Sequence, residues 1–111
     1  MLNNSIGFSN TAIGVAALAN NTTGEYNNAI GVNALLGNTT GDNNTALGIS
    51  TDSGNFDASI ILGRDATATA SNQFVSGSVG YPAGAVSVAA AAQTRTWDVI
   101  INGVAHKILL A

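Results

Sequence analysis

Between Asn10 and Ile49 the chain reads NTAIGVAALANNTTGEY (10–26), NNAIGVNALLGNTTGDN (27–43) and NTALGI (44–49). The apolar-glycine pairs Ile13-Gly14, Ile30-Gly31 and Leu47-Gly48 stand 17 residues apart, and so do the tetrads Asn21–Gly24 and Asn38–Gly41. Self-similarity at a fixed period is the mark of a solenoid, in which each unit stacks on its neighbours rather than folding alone. A stalk, fibre or adhesive surface is therefore expected before a catalytic pocket.

The repeat unit is too rich in Gly, Asn and Thr for a helix, where Gly alone costs about 1 kcal/mol relative to Ala. It predicts a short strand, a glycine, a second short strand, and an Asn-Thr-Thr-Gly turn in which Gly supplies positive φ. Alternation in Thr11-Ala12-Ile13 sets Ala12 and Ile13 on opposite faces. Stacked at the strand spacing of about 4.8 Å, matching Ala, Ile and Leu positions would form inward ladders, and matching Asn and Thr positions turn ladders. Outward from the core repeats, Ser5-Ile6-Gly7 looks like a partial copy. Downstream, Ile61-Leu62-Gly63 and Val75-Ser76-Gly77 look like coils with shortened turns.

Three zones follow: repeats over 1–63, an irregular Ala/Ser/Thr-rich continuation over 64–92, and a C-terminal element over 93–111. In the last zone Trp97–Ile101 and Val104–Leu110 flank Asn102-Gly103. Asn-Gly between apolar strands signals a β-hairpin, because a type I′ turn needs positive φ at both central residues. A lone hairpin is not stable in water. This one is expected to cap the coils and join copies of the chain, with Trp97, Val99, Ile101, Ile108 and Leu110 as the oligomerisation residues. The fold class expected is all-β, a β-roll or β-solenoid with a C-terminal hairpin in a homotrimeric, fibre-like assembly.

Composition narrows the partners. The chain has 111 residues, of which 46% are hydrophobic but only 5% aromatic and 8% charged. The charged share is far below the roughly 25% of ordinary soluble domains, so much of the surface should be covered by something else, most simply other copies. A net charge of −3, with Arg64, Arg95 and Lys107 as the cations, leaves no basic cluster for phosphates, so nucleic acid is not an expected partner. There is no cysteine for a disulfide or thiolate site. No apolar run approaches the 18 or so residues of a membrane span, so no membrane insertion is expected, and no export leader is recognisable at Met1.

The phrases NTAIG, NNAIG and NTALG with the intervening NTTG resemble the head repeats of trimeric autotransporter adhesins. Similar repeats occur in bacteriophage tail-fibre and appendage proteins. The likeness covers about residues 3–78. The ending WDVIINGVAHKILLA, Trp97 to Ala111, is similar to C-terminal endings of such phage proteins. The resemblance implies a left-handed parallel β-roll in which three chains associate side by side. It further implies a virion tail-fibre context rather than an anchored adhesin, which would continue into a neck, a coiled coil and a barrel. The 17-residue period is longer than that of the best-known adhesin heads, a departure that bears on the turns.

Catalysis has little to stand on. His106, the one histidine, adjoins Lys107 in a predicted strand and lacks the orienting carboxylate and oxyanion hole of a Ser-His-Asp site. Glu25 and Asp42 follow successive NTTG turns and would stack on one edge, a pairing that glycoside cleavage could use but that water would ordinarily solvate. Asp52–Asp57 has alternating oxygen ligands yet no bidentate Glu twelve positions along, as an EF-hand needs. Hence no enzyme activity, cofactor or metal is expected. The Asn-x-Thr sequons look like by-products of turn chemistry. Candidate ligand contacts come from the aromatics Phe8, Tyr26, Phe56, Phe74, Tyr81 and Trp97. Tyr26, Phe56 and Tyr81 are the chosen ones: Tyr26 follows a turn and Phe56 sits in the irregular third turn, both surface positions, and Tyr and Trp offer sugars an apolar face with a polar handle. The function expected is structural and adhesive: the distal part of a phage tail fibre or similar virion appendage, binding a glycan or protein receptor on the bacterial surface. The alternatives are the head of a bacterial trimeric adhesin, a self-assembling extracellular filament subunit or, further off, a polysaccharide-cleaving tailspike fragment.

Overall fold

The computed structural model describes residues 6–80, 95–101 and 104–110. Five three-residue strands, β1 (Thr11–Ile13), β2 (Asn28–Ile30), β3 (Thr45–Leu47), β4 (Ile60–Leu62) and β5 (Phe74–Ser76), pair in parallel in the order β1-β2-β3-β4-β5. Their register follows the repeat: Thr11 lies beside Asn28, Asn28 beside Thr45, Thr45 beside Ile60 and Ile60 beside Phe74. The result is an all-β solenoid of about four turns, with no helix among the described residues. Each coil carries one three-residue strand, and bends and turns make up the rest. The shortened steps after Gly48 stay in the same stack, which runs on past residue 63 to Ser76.

Corners explain why a single chain can coil so tightly. Left-handed φ recurs in columns: Ser9 (56°), Tyr26 (56°), Asn43 (59°), Ala58 (55°) and Asn72 (62°) at one corner, and Ala16, Asn33, Ser50 and Asp65 at another. Between them the glycines form the tightest column. A Cβ placed on Gly31, where φ is +137°, would lie 2.2 Å from the carbonyl oxygen of Gly48, so only a hydrogen fits. The Asn residues of the turns seal the interior. Asn27 is fully buried: its Oδ1 takes the Asn44 backbone N–H at 2.9 Å while its Nδ2 donates to the Gly41 carbonyl at 2.8 Å. Asn38 donates Nδ2 to Gly41 O and to Asn21 Oδ1, and Ser53 Oγ donates to Asn38 Oδ1. Buried amides thus occupy the positions where backbone groups at a corner would otherwise lack partners.

The direction of the strand faces differs from the expectation. Ala29, Ala46 and Ile61 point inward, whereas Ile13, Ile30 and Leu47 point out. The reason is volume. Leu18 and Leu35, buried from the opposite wall, fill the first coils and leave room only for Ala on the strand. In the Leu35 column the third coil has Asp52, and the inner strand position then grows to Ile61 and Val75. A second difference concerns Ile6-Gly7. Both donate their N–H to Thr22 O, as Thr23 and Gly24 do to Thr39 O, so this pair belongs to the turn column and is not a copy of Ile13-Gly14.

Arg95–Ile101 (β6) and Val104–Leu110 (β7) pair antiparallel, with Trp97 opposite Ile108 and Val99 opposite His106. The intervening Asn102-Gly103 lies outside the described residues.

Candidate functional site

Stacking turns single residues into columns, and three outer features built from them carry the chemistry of this trunk. The first runs along a turn edge through Phe8, Glu25, Asp42, Asp57 and Ser71. The Glu25 N–H donates to Asp42 Oδ1 at 2.8 Å, the Asp42 N–H to Asp57 Oδ1 at 2.9 Å, and the Asp57 N–H to Ser71 Oγ at 3.0 Å. Asp42 and Asp57 therefore each hold the backbone of the coil before them, and Ser71 does the same for Asp57. Glu25 and Asp42 do share one edge, and Asp57 joins them, but their arrangement is that of a structural ladder. No acid–base pair faces a cleft between them.

The second feature adjoins that ladder. Tyr26 donates its N–H to the Phe8 carbonyl at 3.2 Å, and the two rings meet edge to face with centroids 5.4 Å apart at 80°. Both rings are about half exposed. Tyr26, a contact expected from sequence, therefore presents a surface, and Phe8 completes it. Phe8 was not separable from the other aromatics in sequence, although it stands 17 residues before Glu25 in the same column. Phe56 sits apart from this pair, on the third turn. Its carbonyl accepts from Asn44 Nδ2 at 2.8 Å while its ring is 37% exposed. Tyr81 lies outside the described residues, as do the side chains of Trp97, Val99, Ile101, His106, Ile108 and Leu110.

The third feature is the outer face of the sheet. Ile13, Ile30 and Leu47 form one exposed apolar column, and Val15, Val32 and Ile49 form another just past the glycines. In the fourth coil the second column holds Arg64, whose Nε lies 3.7 Å from Asp65 Oδ2.

The Asp52–Asp57 segment puts its oxygens to structural use. Asp52 Oδ1 accepts from the Gly54 N–H at 3.3 Å, Asn55 Oδ1 accepts from the Thr39 N–H at 2.6 Å, and Asp57 is the ladder member already described. Among the described residues no group of three or more His, Cys, Asp or Glu could hold a metal ion. No described helix is long and apolar enough to cross a membrane. The sequons at Asn21 and Asn38 begin on fully buried side chains held in the interior ladder, which is the turn chemistry expected of them. Comparison with protein-family profiles, with curated proteins and with solved structures gives no match.

Proposed function

We propose that this chain is a structural and adhesive fibre module, the distal part of a phage tail fibre or similar virion appendage that engages a glycan or protein receptor on the bacterial surface. It acts by binding rather than by turnover. What supports this reading is the stack itself: consecutive coils in parallel register, tied by buried amide and carboxylate ladders, repeat their outer side chains at the strand spacing of about 4.8 Å. A trunk of that kind is stiff, and it carries Tyr26 and Phe56 two turns apart. Association into a homotrimer, with the Trp97–Leu110 strand pair as cap and joining element, would multiply one weak site into three. Three sites gain from effective concentration on an arrayed receptor.

Two measurements test the reading. Light scattering after size exclusion is expected to give a mass near three times the 11.0 kDa chain. Labelled protein is expected to adsorb to whole bacteria of a susceptible strain, with Tyr26→Ala and Phe56→Ala each weakening adsorption several-fold. A clean monomer removes the fibre module. Shortening of purified capsule polysaccharide by the protein would replace it with the tailspike reading.

A further inference from the structure

The acidic ladder on the turn edge has one exception, and it falls beside the ring pair. Asp42 and Asp57 each spend Oδ1 on the backbone N–H of the coil before. The same step at the foot of the column would have Glu25 take the N–H of Phe8. Glu25 is one methylene longer than its column mates, and among the described residues neither its carboxylate nor the Phe8 N–H has a partner. A part-buried carboxylate released from the ladder therefore stands one coil above Phe8 and next in sequence to Tyr26. The two rings meet edge to face, 5.4 Å apart, with Phe8 52% and Tyr26 50% exposed. From this juxtaposition we propose that Phe8, Tyr26 and Glu25 form a subsite for a sugar bearing a protonated amine. The inference rests on the receptor-binding reading above and names the ligand chemistry of its Tyr26 surface.

Shape selects a sugar. Edge-to-face packing leaves each ring a face that the other does not cover, and a pyranose can lay its own apolar face there while its substituents reach the carboxylate. A peptide gains affinity mainly from unpaired backbone at an edge, and this edge has little to offer. The Glu25 N–H goes to Asp42, the Tyr26 N–H to the Phe8 carbonyl and the Asn27 N–H to Asn10 Oδ1. Charge selects the amine. Aromatic faces carry the negative part of the ring quadrupole and attract cations. Glu25 adds a full negative charge, which Asp42 and Asp57 continue along the edge. Arg64, the one Lys or Arg within residues 6–80, sits at another corner beside Asp65. A sugar acid or a phosphate would be repelled by these charges. An N-acetylated sugar would keep the stacking and lose the ion pair.

Titration calorimetry on the full chain tests this with two probes, the glucosamine tetramer at a pH that protonates its amines and its fully N-acetylated counterpart. The glucosamine tetramer is expected to bind about fivefold tighter. Glu25→Gln is expected to erase that preference, whereas Tyr26→Ala and Phe8→Ala each weaken both tetramers several-fold with the β circular-dichroism signal unchanged. Asp65→Asn removes an equal charge away from the rings and is expected to leave the preference intact. Equal affinity for the two tetramers, or a preference that Asp65→Asn lowers as much as Glu25→Gln does, overturns the amine and leaves the Tyr26 receptor surface standing. Tetralysine bound as tightly as the glucosamine tetramer, and weakened alike by Tyr26→Ala, overturns the sugar in favour of a basic peptide. If neither tetramer binds while labelled protein still adsorbs to bacteria through Tyr26, the amino-sugar assignment alone falls. If adsorption fails as well, both readings fall together.

Discussion

The two full-length coil steps before Gly48 and the two shortened steps after it solve the same packing problem with opposite side chains. Before Gly48 the strand contributes Ala to the interior and the far wall contributes Leu18 and Leu35; afterwards the strand contributes Ile61 and Val75 and the far wall Ala66 and Ala68. The interior ladder changes in step, from Asn27 and Asn44 to Ser59, and from Asn21 and Asn38 to Ser53. A shorter coil has less span to bridge, so a hydroxyl replaces a carboxamide and the bulky residue crosses to the strand. What repeats along this trunk is thus filled volume and hydrogen-bond closure, not residue identity. That is why the stack survives the loss of its sequence period.

The glycine column offers the harshest way to break the comparison. A Cβ on Gly31 would sit 2.2 Å from the carbonyl oxygen of Gly48, at φ +137°. On Gly63 the nearest atoms, Gly77 Cα and N, are 3.2 Å away at φ +105°. Gly31→Ala must push two coils apart as well as adopt a conformation poor for L residues, and is expected to cost about 4 kcal/mol or more, enough to unfold a marginal trunk. Gly63→Ala should cost about half as much. Gly80→Ala, with nothing within 4 Å, should be silent. Urea unfolding followed by circular dichroism ranks the three, and equal losses at Gly31 and Gly63 would erase the distinction between the full and shortened coils at this corner.

Next in size is the far wall. Leu35→Ala removes the largest inner side chain of a full-length coil, 0% exposed, and is expected to cost about 3 kcal/mol through lost burial and the cavity left against alanines. Ile61→Ala should cost a similar amount, because in its coil the strand residue fills the interior. The telling contrast is Ala29→Ile, at the strand position of the coil that holds Leu35. It sits where the interior is already full, so it should destabilise by about 1–3 kcal/mol through overpacking. A stabilising Ala29→Ile in thermal melts would mean that the coils do not exchange volume between walls.

These contrasts also show how far the chain could be read before its coordinates. Gly14, Gly31 and Gly48 announced the corner column, and Asn21 and Asn38 the turn, because only those residue types meet such backbone demands and the demand recurs each coil. Which strand residue faces inward was not legible. Ala12-Ile13 alternation fixes that the two point apart, but the choice depends on how much volume Leu18 and Leu35 bring from the other wall, a contact across the coil rather than along it. Ile6-Gly7 misled for a related reason: an Ile-Gly pair can end a strand or, as here, occupy a turn, and only register separates the two. The Tyr26 surface was half legible, since its ring partner Phe8 lies outside the Asn-Thr-Thr-Gly pattern.

A smaller effect of opposite sign tests the interior at the junction. Thr51 is fully buried in the column of Ala17, Ala34 and Ala66, and its hydroxyl makes no hydrogen bond. An unpaired buried hydroxyl carries a desolvation penalty, so Thr51→Val, which keeps the shape and drops the polar atom, is expected to stabilise by about 1 kcal/mol. A loss of stability would mean that the hydroxyl finds a partner in solution and that the first shortened step is held by it.

The smallest expected change is the one that most sharpens the role of the corners. At the column Ser9, Tyr26, Asn43, Ala58 and Asn72 every residue is left-handed, with φ between 55° and 62°. Asparagine tolerates that region because its short side chain can bond locally, whereas alanine has only its Cβ clash, worth roughly 1 kcal/mol. Ala58 is exposed and donates its N–H to the Asp42 carbonyl at 2.9 Å, a bond that replacement of the side chain leaves alone. Ala58→Asn should therefore raise stability by about 0.5 kcal/mol, and Ala58→Gly by about as much, while Asn43→Ala in the coil before should lower it by a like amount. If the shortened coils were loosely held, their corners could relax out of the left-handed region and Ala58→Asn would do nothing. A matched gain at 58 and loss at 43 in the same urea series would show that the corner is enforced equally on both sides of Gly48, even though the walls between the corners have exchanged their side chains.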